Sequence, residues 1–339
     1  MNSTLEALSF RKDTINERLN IYYLNNLSQT NTFAEEVKLG LTSERKFLLP
    51  KYFYDERGSK LFEQICRTKE YYPTRTETNI LKNLSDTISE RNKDKNLIVE
   101  LGSGSSLKTN YLIKSFLKTR DRLCYTPIDV SNILVESSKL LIETYEKLFI
   151  NGIVSFYKEG IDFIFSLDNS PKLIIFLGSS IGNFTEEERI LFMKMLKNDM
   201  KEADRLLIGF DLVKDKKVLE DAYNDSKGIT AEFNLNILHR INTELDGKFN
   251  LKKFEHKAIF NADESRIEMY LIAKEKMEIA INGIEETIKF EKEEKIHTEN
   301  SYKFTNEMIN RLAENSGLEF SDCYSDERNY FSLCAFRPK

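Results

Sequence analysis

The run Val99-Glu100-Leu101-Gly102-Ser103-Gly104-Ser105-Ser106 places two glycines between an apolar stretch and the helical pattern KTNYLIKSFLKT (108–119). Glycines at such a strand-to-helix turn let backbone approach a ligand closely. A phosphate-bearing dinucleotide calls for G-x-G-x-x-G, but the third glycine slot is Leu107. A ligand without phosphates suits this turn better. The next apolar run ends in Ile128-Asp129-Val130-Ser131, which sets a carboxylate where it can accept hydrogen bonds from both hydroxyls of a ribose. Glycine turns also serve tight turning alone, and a strand-end Asp also serves as a helix cap. Two such features at consecutive strand ends favour the ligand reading, because α/β sheets bind ligands along that edge.

These residues need a sheet to hold them. From Asn96, short apolar runs alternate with helical stretches: NLIVELG, LCYTPIDVS, GIVSFY, LIIFLG and RLLIGFDLV read as strands. The helix after LIIFLG starts with the capping box Thr185 to Glu188. The expectation is a parallel, doubly wound α/β sheet. The segment 213–303 breaks this rhythm with helical stretches (218–246) followed by alternating runs such as KFEHKAIFN, RIEMYLIAK and MEIAINGI, an inserted α+β unit. The C-terminus reads as a helix and two strands, EFSDCYS and YFSLCAF, close enough to be an antiparallel hairpin. Such a layout is that of class I methyltransferases. Residues 1–76 read as mostly helical and irregular.

Composition narrows the classes. The 339 residues, 40% hydrophobic, suffice for one or two globular domains. A net charge of -5 makes no electrostatic case for nucleic acid. The first 30 residues lack a secretory signal pattern and no apolar run is long enough to span a bilayer, so a cytoplasmic location with no membrane partner is expected. Four scattered cysteines and three histidines suggest neither a disulfide framework nor a metal site.

Further stretches resemble one family. Residues 50–77, PKYFYDERGSKLFEQICRTKEYYPTRTE, closely resemble the N-terminal signature of the L-histidine Nα-methyltransferases of ergothioneine biosynthesis. The turn FLGSSIGNFT (176–185) is similar to that family's strand-four loop almost residue for residue. The stretches 210–238, RIEMYL (266–271) and HTENSYKF (297–304) follow in order, so the resemblance runs from about residue 34 to the C-terminus. It implies a discontinuous substrate-binding domain (1–76 and 213–303) and a Rossmann-like domain (77–212 and 304–339) that binds S-adenosylmethionine. It also implies that Tyr54, Gly102, Lys108 and Asp129 face the cofactor, beside Gly104 of the glycine turn, while Tyr71, Gly178, Asn183, Tyr223, Met269, Glu299 and Ser301 line a histidine pocket. At the adenine end the chain departs from the family's Asp-Phe. It aligns there as Phe156-Tyr157, with Asp162-Phe163 as a rival after a short insertion.

The implied reaction is methylation of the α-amino nitrogen of L-histidine, repeated to the trimethylated betaine hercynine, the first step of ergothioneine biosynthesis. Methyl transfer from a sulfonium is an in-line displacement whose rate comes mostly from positioning. In the family's frame Asn183 orients the amine, Tyr71 and Tyr223 hold the carboxylate, and Tyr54 offers a cation–π wall to the growing cation. Glu299 and Ser301 stand i and i+2, on one face of a strand, where together they can satisfy both imidazole nitrogens. Taken alone, Glu299 reads as a solvated charge in the EKEEKIHTEN run. Two alternatives stay open: Nα-methylation of another aromatic amino acid, and a catalytically silent binding protein on the same fold. A monomer is the default.

Overall fold

The computed structural model describes residues 10–25 and 32–339. The reading of residues 1–30 as free of a secretory signal falls partly outside them. The chain divides into two compact units: Met1–Leu27 with Thr76–Leu212 and Phe304–Lys339, and Ser28–Arg75 with Val213–Lys303.

The first unit is built on one sheet. In chain order its strands are β1 (Phe10–Asn16), β2 (Leu19–Leu24), β3 (Leu97–Leu101), β4 (Leu123–Asp129), β5 (Leu148–Val154), β6 (Lys172–Phe176) and β7 (Arg205–Asp211). Strands β8 to β12 belong to the second unit; β13 (Leu318–Ser325) and β14 (Phe331–Pro338) close the first. The sheet order is β1-β2-β5-β4-β3-β6-β7-β14-β13. Strands β3 to β7 run parallel, whereas β14 pairs antiparallel with both β7 and β13. Every residue of β3 and β6 is buried, as expected for central strands covered on both faces. After β5 the chain returns to place β6 beside β3, so the direction of winding reverses at that pair. A crevice at the carboxyl ends of such a pair is where doubly wound sheets bind ligands.

Two expectations need correction. Residues 10–24, read as helical and irregular and grouped with the smaller domain, form a hairpin that joins the first unit's sheet through the parallel pairing of β2 with β5. Leu19 and Ile21 are fully buried while most of β1 is exposed, so only a short, half-apolar edge pattern announced these strands. The strand expected at GIVSFY begins earlier, at Leu148, and stops at Val154. Phe156 instead caps the helix Tyr157–Leu167.

The second unit is α+β. Strands β8 (Phe254–Asn261), β9 (Arg266–Ala273) and β12 (Lys295–Tyr302) form an antiparallel sheet in the order β12-β9-β8, and β10 (Met277–Ile281) pairs with β11 (Glu286–Phe290). The helices Phe33–Thr42, Glu56–Ile65, Lys216–Tyr223 and Ile229–Glu244 complete it. Among the described residues no helix is long and apolar enough to cross a membrane.

Candidate functional site

At the carboxyl edge of the first unit's sheet the chain turns sharply after β3. Gly102, Gly104 and Ser106 all have positive φ, at 66°, 50° and 54°. A Cβ on Gly102 would lie 2.8 Å from the Tyr157 hydroxyl oxygen, so only glycine lets backbone and ring share this space. Next to Gly104 the equivalent position is open, with no heavy atom within 4 Å. Asp129, at the end of β4, braces the turn. Its carboxylate accepts from the Gly104 N–H at 2.9 Å and from the Ser131 N–H at 2.8 Å. A carboxylate offers about four acceptor sites, so even with the Val130 amide also bearing on it, capacity remains for a ligand hydroxyl. Burial raises the Asp129 pKa against the pull of those amides.

Beneath the turn Glu100 is buried and accepts from Thr109 Oγ1 at 2.5 Å and from the Tyr125 hydroxyl, which also contacts Ser106 Oγ at 2.9 Å. Desolvation pushes the Glu100 carboxyl up to about 7, in opposition to these hydrogen bonds. The network ties the glycine turn to the helix that follows it.

The helix Tyr157–Leu167 brings Tyr157 against Phe176 and Phe192, with ring centroids 5.6 and 6.0 Å away. Burial raises the Tyr157 pKa. Phe156, at the cap, is half-buried. The rival pair is spoken for: Asp162 bonds Lys158 at 2.6 Å, and Phe163 stacks on Phe10 at 4.1 Å.

Beside the glycine turn, the loop after β6 carries Gly178 at φ 81°, Ser179 at φ 57°, and a 3₁₀ turn ending in Asn183. Asn183 is exposed, and its amide makes no hydrogen bond to the described residues. Lys108 Nζ lies 3.3 Å from where a Gly178 Cβ would stand. Both are held by Glu77, a residue the sequence analysis left without a role: Lys108 donates to it at 2.5 Å and the Gly178 N–H at 2.8 Å. Its signal was present, since Glu77 shares the helix Tyr72–Arg91 with buried Ile80, Leu81, Ser85 and Ile88 at helical spacing, a carboxylate on an apolar stripe.

The second unit gathers the remaining candidates. On β12, Glu299 pairs with Met269 of β9 and Ser301 with Ile267; a bulge falls between His297 and Glu299, ahead of both, so the i, i+2 pair keeps one face. Glu299 is only 8% exposed, yet its carboxylate makes no hydrogen bond among the described residues. Desolvation raises its pKa to about 7, and Lys303 pulls the other way. Ser301 Oγ lies 2.8 Å from the Tyr223 hydroxyl, and fully buried Lys303 donates to both oxygens, at 2.8 and 3.1 Å. Tyr223, Ser301 and Lys303 thus form one buried polar cluster beside Glu299, with Lys303 as a donor to both hydroxyl oxygens. Lys303 was also missed, because nothing in the stretch NSYKFTN (300–306) marks its lysine for burial.

Tyr71 packs edge-on to Tyr223 at 6.0 Å, and burial raises its pKa well above the ordinary tyrosine value, with Tyr223 adding to the rise. Phe62 links Tyr71 to Tyr54, whose ring is 46% exposed. Of the sequence candidates, the first unit therefore holds Gly102, Gly104, Lys108, Asp129, Phe156, Tyr157, Gly178 and Asn183, and the second holds Tyr54, Tyr71, Tyr223, Met269, Glu299 and Ser301. Among the described residues no group of three or more His, Cys, Asp or Glu is placed to hold a metal ion.

An open glycine turn, a strand-end carboxylate with acceptors to spare and this strand order define a class I S-adenosylmethionine-dependent methyltransferase. Residues 33–338 match the profile of the histidine-specific, S-adenosylmethionine-dependent methyltransferases. The chain is 38% identical to the histidine N-alpha-methyltransferase of Mycolicibacterium smegmatis, across 92% of this chain and 96% of that one. It is 31% identical to ergothioneine biosynthesis protein 1 of Neurospora crassa, across 78% of this chain and 30% of that one. An L-tryptophan methyltransferase of Psilocybe serbica is 27% identical, across 84% and 86%. The chain belongs to the histidine-specific, S-adenosylmethionine-dependent methyltransferase family.

The glycine turn yields a direct test. Alanine at φ 66° costs about 1–2 kcal/mol in backbone strain, and it also has to displace the Tyr157 hydroxyl. Gly102→Ala is expected to weaken S-adenosylhomocysteine binding about tenfold, ~1.4 kcal/mol, by calorimetry. An unchanged affinity contradicts the assignment of this turn to the cofactor.

Proposed function

We propose that the protein methylates the α-amino nitrogen of L-histidine three times, to hercynine, and so performs the first step of ergothioneine biosynthesis. The observation that carries this reading is Glu299: a residue only 8% exposed, whose carboxylate has no hydrogen-bond partner among the described residues, two places from Ser301 on one face of β12. Burying such a group without a partner is costly, so the arrangement makes sense as half of a ligand interaction. A neutral imidazole suits it, its N–H donating to Glu299 and its bare nitrogen facing the Ser301 hydroxyl. An indole has no second nitrogen to meet the Ser301 hydroxyl, which sets histidine apart from tryptophan.

S-adenosylmethionine supplies the electrophilic methyl, carried on a sulfonium. Asp129 receives the ribose hydroxyls, the Gly102–Gly104 backbone makes room for the donor, and Tyr157 with Phe156 flanks the adenine. Lys108 offers its ammonium to the donor's carboxylate. On the acceptor side Tyr71 and Tyr223 hold the substrate carboxylate and Asn183 orients the amine, whose lone pair must lie in line with the breaking bond. No strong base is needed, because a neighbouring positive charge favours the neutral amine. Tyr54 lends a π face as the nitrogen gains methyl groups and a fixed charge. The reading further places the enzyme in the cytoplasm as a monomer.

Incubation of the purified protein with S-adenosylmethionine and an equimolar mixture of histidine, tryptophan and phenylalanine tests this by mass spectrometry. Trimethylhistidine is the expected product. A monomethyl product alone overturns repeated transfer, and methylation of another amino acid in preference to histidine overturns the substrate.

Ionised Glu299 accepts the imidazole N–H more strongly than its protonated form does, and burial lifts its carboxyl to about 7. Histidine is therefore expected to bind more tightly as pH rises from 6 toward 8 and to level off above that. Glu299→Gln should bind more weakly and flatten this pH dependence. A variant with the full wild-type slope assigns the titration elsewhere.

A further inference from the structure

We propose that Glu77 is a positioning residue that holds Lys108 and the Gly178 turn in one arrangement, so that removing its charge weakens donor and acceptor binding together. The inference rests on the reading above, in which Lys108 serves the donor and Gly178 the acceptor. Glu77 is fully buried, and burying a carboxylate is tolerated only when it is paired and hydrogen-bonded. Its partners are those two residues. Lys108 Nζ donates to Oε2 at 2.5 Å, and the Gly178 N–H lies 2.8 Å from Oε1 and 3.0 Å from Oε2.

The surroundings are shaped to this one carboxylate. A Cβ on Gly209 of β7 would stand 2.5 Å from Glu77 Oε1, so glycine there leaves the space the carboxylate fills. Lys108 sits immediately before the helix Thr109–Leu117, and Gly178 lies just after β6. The ends of two neighbouring strand-helix crossings are thus fixed against each other by a third element, the helix Tyr72–Arg91.

Two chemical consequences follow. An ammonium has three N–H donors, and with one committed to Glu77 the half-exposed Lys108 keeps donors for an anionic group. The Gly178 N–H is also committed, which leaves the carbonyl as the polar group this residue can offer. A carbonyl accepts, so the turn suits an ammonium or amine rather than a carboxylate. Glu77 touches neither ligand; it sets the direction of the donors and acceptors that do.

Calorimetry on wild type and on Glu77→Gln, with S-adenosylhomocysteine alone and then with L-histidine added to the S-adenosylhomocysteine complex, tests this. In the variant both dissociation constants are expected to rise about tenfold, about 1.4 kcal/mol each, with a cooperative melt retained. A double-mutant cycle with Lys108→Met separates positioning from bulk stability: the loss of S-adenosylhomocysteine affinity in the double variant should match that of Lys108→Met alone. Additive losses, or a folded Glu77→Gln protein with both affinities intact, overturn the proposal. Should Glu77→Gln not fold, Glu77→Asp keeps the charge but withdraws it by one methylene. It is expected to lose affinity for both ligands severalfold, and wild-type affinity in a folded Glu77→Asp protein is equally fatal. Wild-type protein that binds no histidine removes the underlying reading itself, an outcome separate from the behaviour of the variants.

Discussion

Glu299→Ala is expected to lower kcat/KM for L-histidine by about two to three orders of magnitude while making the protein more stable at pH 8. The activity loss has two parts. A hydrogen bond to a charged acceptor contributes about 1.5–3 kcal/mol, and its removal leaves the imidazole N–H unpaired in a buried pocket. Together these reach about 3–4 kcal/mol, or 10²–10³ in rate. The stability gain follows from the sign of the pKa shift. Burial raises the Glu299 carboxyl from the ordinary glutamate range to about 7, so the folded state binds the proton more firmly than the unfolded chain does. That group costs nothing below the unfolded pKa; its penalty grows as pH climbs through the interval and is complete above the folded pKa. At pH 8 its removal should return on the order of 2–3 kcal/mol. Thermal melts at pH 5 and pH 8 measure this difference. A variant that loses activity and stability alike would mark Glu299 as structural, while one that keeps activity would remove it from the substrate pocket.

Asn183→Ala is expected to lower kcat about a hundredfold, because misplacing a reacting atom by about 1 Å costs that much. Histidine affinity should change far less. The side chain is exposed and makes no hydrogen bond to the described residues, so its loss disturbs no packing and the melting temperature should stay put. The measurement is steady-state kinetics with histidine varied at saturating S-adenosylmethionine. Unchanged catalytic efficiency contradicts the assignment of amine orientation to this residue.

The parts of the protein that were legible in its sequence are those whose signal is local. The strand-turn-helix at Val99–Thr109 carries its glycines, its apolar run and its following helix within a dozen residues, and the structure shows each of them. Once the resemblance had singled out Glu299 and Ser301, strand parity put them on one face, and they share it because the bulge of β12 falls before Glu299 rather than between the two. What escaped depends on distant partners. Strand β2 exists through its pairing with β5, more than a hundred residues on, and β1 is mostly exposed. Lys303 is fully buried beside Tyr223, 80 positions earlier, so nothing in its own neighbourhood foretells that burial. Glu77 reaches Gly178 across 101 positions, though its place on an apolar helical stripe was a clue. Polar groups in a core are specified by what they meet, and a linear pattern records only that they are out of place.

In the proposed function a buried carboxylate, Glu299, and the neighbouring Ser301 hydroxyl recognise an imidazole ring. Calorimetric titration of the S-adenosylhomocysteine complex with L-histidine and, separately, with L-phenylalanine tests it most directly. A measurable heat and a 1:1 endpoint are expected for histidine, with phenylalanine at least a hundredfold weaker, about 2.7 kcal/mol. Equal affinity for the two amino acids, or no binding of histidine at all, would contradict it.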